Sequence, residues 1–267
     1  MCASRVTVPS LSAMKQNGER IACLTCYDAS FARLLEDAGV EVLLVGDSLG
    51  MVVQGQATTL PVTLEQMVYH TRCVTRTRQR SLVVADLPFL TYTSREQALA
   101  SAARLMQEGG ADMVKLEGGA AVVSAVRAMT DFGIPVCAHL GLLPQSVLRL
   151  GGYKVQGRDH AGAERIRHDA LALQDAGAGL LVLECVPMDL ARELTRTLAI
   201  PVIGIGAGAD CDGQVLVLYD ILGITPGRVP RFAKDFQSGG ASVPEAVAAY
   251  VSAVKDGSFP DAEHAFR

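Results

Sequence analysis

The sequence predicts a single closed (β/α)8 barrel occupying residues 1–267, an α/β fold of the TIM type with one helix added at each end. Three observations lead there. Short apolar runs recur along the chain, each is followed by turn residues and then a helix-period segment, and no break in composition divides the alternation. The runs are IACLTCYD (21–28), VLLVGD (42–47), LVVADLP (82–88), DMVKLEGG (112–119), IPVCAHLG (134–141), LLVLECVP (180–187), IPVIGIGAG (200–208) and a weaker ILGIT (221–225). Their near-continuous apolarity suits parallel strands covered on both faces. Amphipathic segments fall between them at 29–38, 63–80, 94–108, 120–132, 161–176, 188–199 and 212–219. A doubly wound open sheet is the competing arrangement. It is weakened because the first turn, YDAS, carries no glycine-rich dinucleotide fingerprint.

Residues 10–18 read as a helix ahead of the first strand, placed over the barrel floor, and 243–256 as a helix beyond the eighth strand. Thr63 with Gln66, and Ser94 with Gln97, have capping-box spacing, while Gly39, Gly109 and Gly177 mark helix ends. Two connections exceed what the architecture needs. Residues 48–62 follow the second strand and 141–159 the fifth, so both leave the C-terminal face where barrel active sites are built. The second, with its Gly151-Gly152 pair, is a candidate lid.

Bulk properties exclude several classes. With 49% hydrophobic residues the chain can bury a large core. A net charge of -4 with interspersed signs gives no reason to expect nucleic acid or an anionic membrane as partner. The basic group Arg76, Arg78 and Arg80 reads as the solvated end of a helix. The N-terminal residues lack the apolar stretch of a signal peptide, and no segment is apolar enough to span a membrane, so a cytoplasmic location is expected. The 7 cysteines are odd in number and scattered. Cys23 and Cys26 form a CxxC, but inside an apolar run rather than at the helix start that would activate a thiolate, so buried, reduced thiols are expected.

Chemistry gathers at the strand ends. The first six strands finish on or beside Asp28, Asp47, Asp86, Glu117, His139 and Glu184. Any one such Asp is ordinarily a helix N-cap, and Asp28 fits that reading. As a set they would repel unless a cation held them, and hard carboxylate oxygens suit Mg2+ or Mn2+. Adjacent strands bring Asp47, Asp86 and Glu117 within reach of one centre. Lys115 and Glu117, two apart on one strand, point the same way. Lys115 could form a Schiff base or stay charged and bind a substrate carboxylate; its acidic neighbours favour the charged form. Glu184 closes a very apolar strand, where desolvation would make it a useful general base, or it pairs with a neighbouring cation. His139 is a hydrogen-bonding wall or a metal ligand. The glycines of GIGAG (204–208) suit either a phosphate loop or close packing.

The blocks VGDSLGMVVQGQATTLPVT, ADLPF, MVKLEGG, PVCAHLGLLPQSV, GGYKVQGR, LLVLECVP and IPVIGIGAG…DGQVLVLYDILG closely resemble the ketopantoate hydroxymethyltransferase family, in order, from about residue 7 to His264. The GDS turn alone would also suit the wider phosphoenolpyruvate/pyruvate barrel superfamily. The resemblance implies transfer of a hydroxymethyl group from 5,10-methylenetetrahydrofolate to the 2-oxo acid 3-methyl-2-oxobutanoate, giving 2-dehydropantoate in pantothenate biosynthesis. It implies that Asp47 and Asp86 bind magnesium with Glu117 in the metal shell. It further implies that Ser48, Asp47, Asp86 and Lys115 contact the oxo acid and that Glu184 accepts the proton. A homodecamer of two pentameric rings is implied too. The competing enzyme class is a magnesium-dependent lyase of the isocitrate lyase/phosphonopyruvate type; such enzymes place a catalytic cysteine or other acid in the loop after strand five, which here contains no Cys.

Overall fold

A computed structural model describes residues 4–225, 227 and 229–267. Eight parallel strands close into one barrel in sequence order: β1 (Ile21–Thr25), β2 (Val42–Val45), β3 (Leu82–Asp86), β4 (Met113–Glu117), β5 (Val136–Gly141), β6 (Leu180–Glu184), β7 (Val202–Ile205) and β8 (Gly213–Leu216). The helices are α1 (Val8–Gln16), α2 (Ala29–Asp37), α3 (Leu49–Val52), α4 (Leu64–Thr75), α5 (Arg95–Gln107) and α6 (Val123–Asp131). They continue with α7 (Val147–Leu150), α8 (His160–Asp175), α9 (Met188–Thr197), α10 (Leu218–Ile221) and α11 (Val243–Asp256). Closure leaves no sheet edge, and every residue of β1, β3 and β4 is buried, as near-continuous apolar runs require.

The eighth strand differs from its expected place. Residues 221–225 are not a strand, and half of the segment expected as the seventh helix, 212–219, is the strand β8, with its last two residues opening α10. Its register is set on both sides, with Ile21 opposite Gly213 and Ile203 opposite Gly213. The chain passes from β7 to β8 through residues 206–212 without a helix, so the run QVLVL, equally compatible with a buried helix or strand by periodicity, takes the position that completes the barrel. Asp212 pins this turn by accepting from the Val202 amide at 2.8 Å and from Lys15 Nζ at 2.8 Å.

Both terminal helices occupy their expected places. α1 lies under the floor, where Lys15 Nζ also donates to the carbonyls of Thr195 (2.7 Å) and Ile200 (3.0 Å) ahead of β7. α11 covers the seam between the last and first strands, and its buried Tyr250 hydroxyl donates to Cys23 O at 2.8 Å and Gln214 O at 2.9 Å. Caps agree with the sequence where the geometry is local. Thr63 and Gln66 form a full capping box, and Asp28 accepts from the amides of Ser30 and Phe31 as the cap of α2. Ser94 caps α5, but the Gln97 side chain accepts from the Thr93 amide instead of reciprocating to Ser94. Gly39 and Gly177 turn left-handed (φ 97° and 98°), whereas after α5 it is Gly110, not Gly109, that does so (φ 79°).

Of the basic group after α4, Arg76 is the exposed C-cap of the helix, as expected, but Arg78 is drawn inward. The side chain of Arg78 is 8% exposed and meets Asp112 at 2.6 Å. The surrounding turn is held by Glu36, whose carboxylate accepts from the amides of Gln79, Arg80 and Ser81. Three backbone donors converging on one carboxylate fix the turn in which Arg78 is drawn inward. Cys23 and Cys26 are free and buried, and burial pushes the Cys26 thiol up to about 12, which leaves it an unreactive thiol.

Candidate active site

Strand periodicity builds the site. The barrel interior is lined by Val84, Lys115, Cys137 and Val182 among others. Two residues further along the same strands, on the same face, come Asp86, Glu117, His139 and Glu184. Parallel register sets Asp86 beside Lys115 and Glu117 beside His139 across neighbouring strands. Asp47 arrives differently: the chain turns at Gly46 just past β2, and the Asp47 amide donates to Asp86 Oδ2 at 3.0 Å.

All of these side chains are withdrawn from solvent. Lys115 Nζ donates to Asp86 Oδ1 at 2.7 Å. His139 stands between two carboxylates, with Nδ1 3.6 Å from Glu117 Oε1 and Nε2 3.3 Å from Glu184 Oε2. A connected line therefore runs across the mouth from Lys115 through Asp86 and Asp47, by way of Gln145 to Glu117, and on past His139 to Glu184. Glu184 does not end in purely apolar surroundings as its strand suggested; its neighbour is an imidazole.

Electrostatics follow from that crowding. Burial, and then the negative charges of Asp86 and Glu117, hold the Asp47 carboxyl well above the usual range, against the pull of Lys115. Burial opposes the charge on Lys115, but Asp86, Glu117 and Asp47 outweigh it and raise the ammonium above an ordinary lysine, so it stays protonated. For His139, burial and the charge of Lys115 work against protonation, yet the carboxylates of Glu117 and Glu184 close to its two ring nitrogens prevail and lift it to about 9. The acidic side chains at positions 47, 86, 117 and 184 thus outnumber the two basic ones, Lys115 and His139, by two.

That excess is the test of fit for a divalent cation. The buried Glu117 Oε1 has no hydrogen-bond partner among the described residues, and the donors available are hard carboxylate oxygens. As the side chains stand, Lys115 and Gln145 each take one oxygen of Asp86 and Asp47, and among the described residues no three acidic, His or Cys side chains form a ready-made ligand set. The chemistry suits magnesium, with local rotation of these side chains to receive it.

Several contributors escaped sequence reasoning. Gln145, in a 3-10 turn at Pro144–Ser146, donates from Nε2 to Asp47 Oδ2 (2.8 Å) and Leu87 O (3.0 Å), and from its amide to Glu117 Oε2 (3.0 Å). Tyr92 OH donates to Gln145 Oε1 at 2.5 Å. Tyr27 OH is 2.9 Å from Ser48 Oγ and fixes that hydroxyl at the start of α3. The only sequence signal for Gln145 was its place in the long fifth connection. That connection does cross the mouth: past the left-handed Gly151 and Gly152, Tyr153 OH reaches Met51 Sδ of the other long loop at 3.5 Å. The GIGAG glycines serve packing, with Gly206 against Phe232 and Phe266 and Gly208 against Met188.

Comparison with known proteins agrees in family and fold. A family model described as ketopantoate hydroxymethyltransferase matches residues 5–262. The 3-methyl-2-oxobutanoate hydroxymethyltransferase of Thiobacillus denitrificans is 62% identical over 262 residues, 98% of this chain and 99% of that protein. The protein of the same name from Alkalilimnicola ehrlichii is 59% identical over 261 residues, covering 98% and 94%. Among solved structures, the phosphoenolpyruvate phosphomutase of Streptomyces platensis subsp. rosaceus superposes with a TM-score of 0.62 at 15% identity, covering 82% of this chain and 83% of that one. A 2,3-dimethylmalate lyase of the PEP mutase/isocitrate lyase superfamily gives 0.56 at 22%, covering 79% and 81%. At such identities these two speak for the fold alone.

Proposed function

Taking as premise that the chain belongs to the ketopantoate hydroxymethyltransferase family, we propose that this one barrel domain transfers a hydroxymethyl group from 5,10-methylenetetrahydrofolate to 3-methyl-2-oxobutanoate, giving 2-dehydropantoate. The observation that carries the reading is the line from the Asp47–Asp86–Lys115 cluster through Glu117 and His139 to Glu184. It offers a charged anchor for a 2-oxo acid at one end and a proton acceptor at the other.

Asp47, Asp86 and Glu117 would hold Mg2+, which when bound supplies Lewis-acid polarisation of the 2-oxo group and so acidifies C3. Lys115, kept charged by its neighbours, binds the substrate carboxylate. Ser48 donates its hydroxyl to the same substrate, with Tyr27 setting its direction. Glu184 takes the C3 proton, and protonated His139, its Nε2 3.3 Å from Glu184 Oε2, orients the carboxylate for that transfer by charge attraction. The resulting carbon nucleophile then forms the new C–C bond to the one-carbon unit, whose bonds to the folate nitrogens break. One water supplies the hydroxyl, its other proton and the C3 proton pass to the folate nitrogens, and tetrahydrofolate leaves, while the loop bearing Gln145 and Tyr153 covers the mouth. In the same reading the enzyme is cytoplasmic and a homodecamer; exposure of Tyr69 (63%) and Phe132 (78%) suits burial between copies. No helix among the described residues is long and apolar enough to cross a membrane.

The test is deuterium exchange at C3 of 3-methyl-2-oxobutanoate, followed by proton NMR with Mg2+ and without folate. Exchange is expected in the unaltered protein and is expected to vanish in Glu184→Gln while oxo-acid binding persists. Exchange at the original rate in that variant removes Glu184 as the base, and exchange that survives thorough chelation sinks the metal-assisted account.

A further inference from the structure

A second feature stands on the rim next to Glu184. Arg158, Arg231, Ala262, Ala265, Phe266 and Arg267 enclose a cleft of about 300 Å³. It is tied to the barrel mouth on two sides. The Gln156 amide, two residues before Arg158, donates to the carbonyl of Cys185 at 2.9 Å, directly after Glu184. The Met188 amide donates to Phe266 O at 3.0 Å, and Phe266 packs on Gly206 just beyond β7.

Arg231 is held in place, with Nε donating to Glu263 O at 2.9 Å and the guanidinium 5.7 Å from the centre of the Phe266 ring. Two acidic side chains near in sequence are engaged elsewhere, since Asp159 caps α8 through the Gly162 amide and Asp261 binds His264 at 2.8 Å, while Glu263 meets Arg231 through its backbone carbonyl. Among the described residues no carboxylate forms an ion pair with Arg158, Arg231 or Arg267, whereas Arg167 and Arg192 on the same flank are each paired twice. Like charges gathered around a cleft on a chain of net charge -4 are unfavourable until an anion joins them.

We infer that this cleft is a subsite for a ligand bearing several carboxylates, namely the γ-linked glutamyl tail of the tetrahydrofolate donor, held by Arg158 and Arg231. The inference rests on the reading of the chain as a folate-dependent hydroxymethyltransferase. The guanidinium fork matches a carboxylate with two parallel hydrogen bonds, and successive glutamyl groups present such carboxylates along one extended chain. Phe266 and the two alanines offer an apolar wall to the intervening methylene groups. With the tail seated on the rim, the one-carbon end of the donor is directed to the mouth beside Glu184, and each added glutamate adds contacts without a second binding event.

The experiment is isothermal titration of the full chain with tetrahydrofolate monoglutamate, tetrahydrofolate triglutamate, the γ-linked triglutamate peptide alone and inorganic pyrophosphate. The unaltered protein is expected to prefer the triglutamate. An Arg158→Ala/Arg231→Ala double variant should lose about four- to twenty-five-fold of that preference, about two- to five-fold per solvent-accessible arginine. The paired lysine substitutions should retain most of it, and added salt should erode it. Arg158→Ala alone, at an exposed position, keeps the test valid if the double variant loses stability. Equal affinity for mono- and triglutamate in the unaltered protein, or a preference untouched in the double variant, overturns the subsite. Pyrophosphate that binds more tightly than the peptide overturns the glutamyl assignment in favour of a phosphate-bearing ligand. If no folate reacts but the peptide still binds through these arginines, the functional reading fails and the anion subsite stands.

Discussion

Replacing Lys115 by Met removes the one ammonium inside the barrel mouth while nearly preserving side-chain length. The pair it breaks is Nζ–Oδ1 with Asp86 at 2.7 Å, with side chains 5% and 4% exposed. At an effective dielectric constant near 20, two unit charges at that separation attract by about 6 kcal/mol, which is a ceiling. Breaking a buried pair by removing one partner ordinarily costs about 3–5 kcal/mol, and the carboxylates left behind can relax by taking up a proton, so about 3 kcal/mol is expected here. For a chain of this size that lowers Tm by roughly ten degrees. The sign with pH is fixed by the raised ammonium. Its stabilisation is fully present below the ordinary lysine pKa of about 10.4 and is lost only as pH rises through the still higher folded value. The Tm gap between the unaltered protein and Lys115→Met should therefore not narrow from pH 6 to 9, and it widens where the carboxylates left behind lose the proton they took up. In steady-state assays KM for the oxo acid should rise by about thirtyfold or more, the worth of a charge-assisted hydrogen bond in a buried site. A gap that collapses within that pH range, or an unchanged KM, refutes the charged-anchor assignment. Trapping of substrate on Lys115 by borohydride would establish the Schiff-base chemistry instead.

Two further perturbations probe the same cluster. Because His139 is lifted to about 9 from an unfolded value near 6.5, its stabilisation is complete below about pH 6.5 and disappears as pH rises through 9; urea unfolding of His139→Gln should show its largest deficit near pH 6 and almost none at pH 9.5, and a deficit independent of pH would contradict the protonated bridge. Mg2+ at a hundred times its dissociation constant should stabilise the unaltered protein by about 2.7 kcal/mol. Asp47→Asn, which relieves the repulsion from Asp86 and Glu117, should raise the metal-free Tm and abolish the Mg2+ response; an undiminished response in differential scanning fluorimetry would remove Asp47 from the metal site.

The barrel was legible because its governing pattern is local and repeated. Seven strands lie inside the apolar runs that announced them, and the turn residues after each run lead into helices. The eighth is instructive because closure overrode the local pattern. The run of valine and leucine at 215–218 suits either a strand or a buried helix, and the expected alternation of strand and helix favoured the helix. What decides is a tertiary constraint: β1 and β7 each present an unpaired edge, and Gly213–Leu216 is the segment that satisfies both. Arg78 failed for a similar reason, since its partner Asp112 lies far away in sequence on the turn before β4.

The site divides along the same line. Residues that occupy strand ends with the interior parity, namely Asp86, Glu117, His139 and Glu184, can be found from period two alone. Residues whose role is to hold those groups cannot, because they reach the site from loops whose path no periodicity encodes. Gln145 is the clearest case. An amide in the turn PQS has nothing in its local pattern to set it apart, yet it joins Asp47, Leu87, Glu117 and Tyr92 in one buried network. Its position also couples two events that sequence reasoning treats as separate. The loop that crosses the mouth carries the donor to Asp47, so displacing that loop also loosens the carboxylate proposed to receive the metal. Lid position and metal affinity should then be linked reciprocally, since any ligand that favours one arrangement of the loop must shift the affinity of the other site by the same factor.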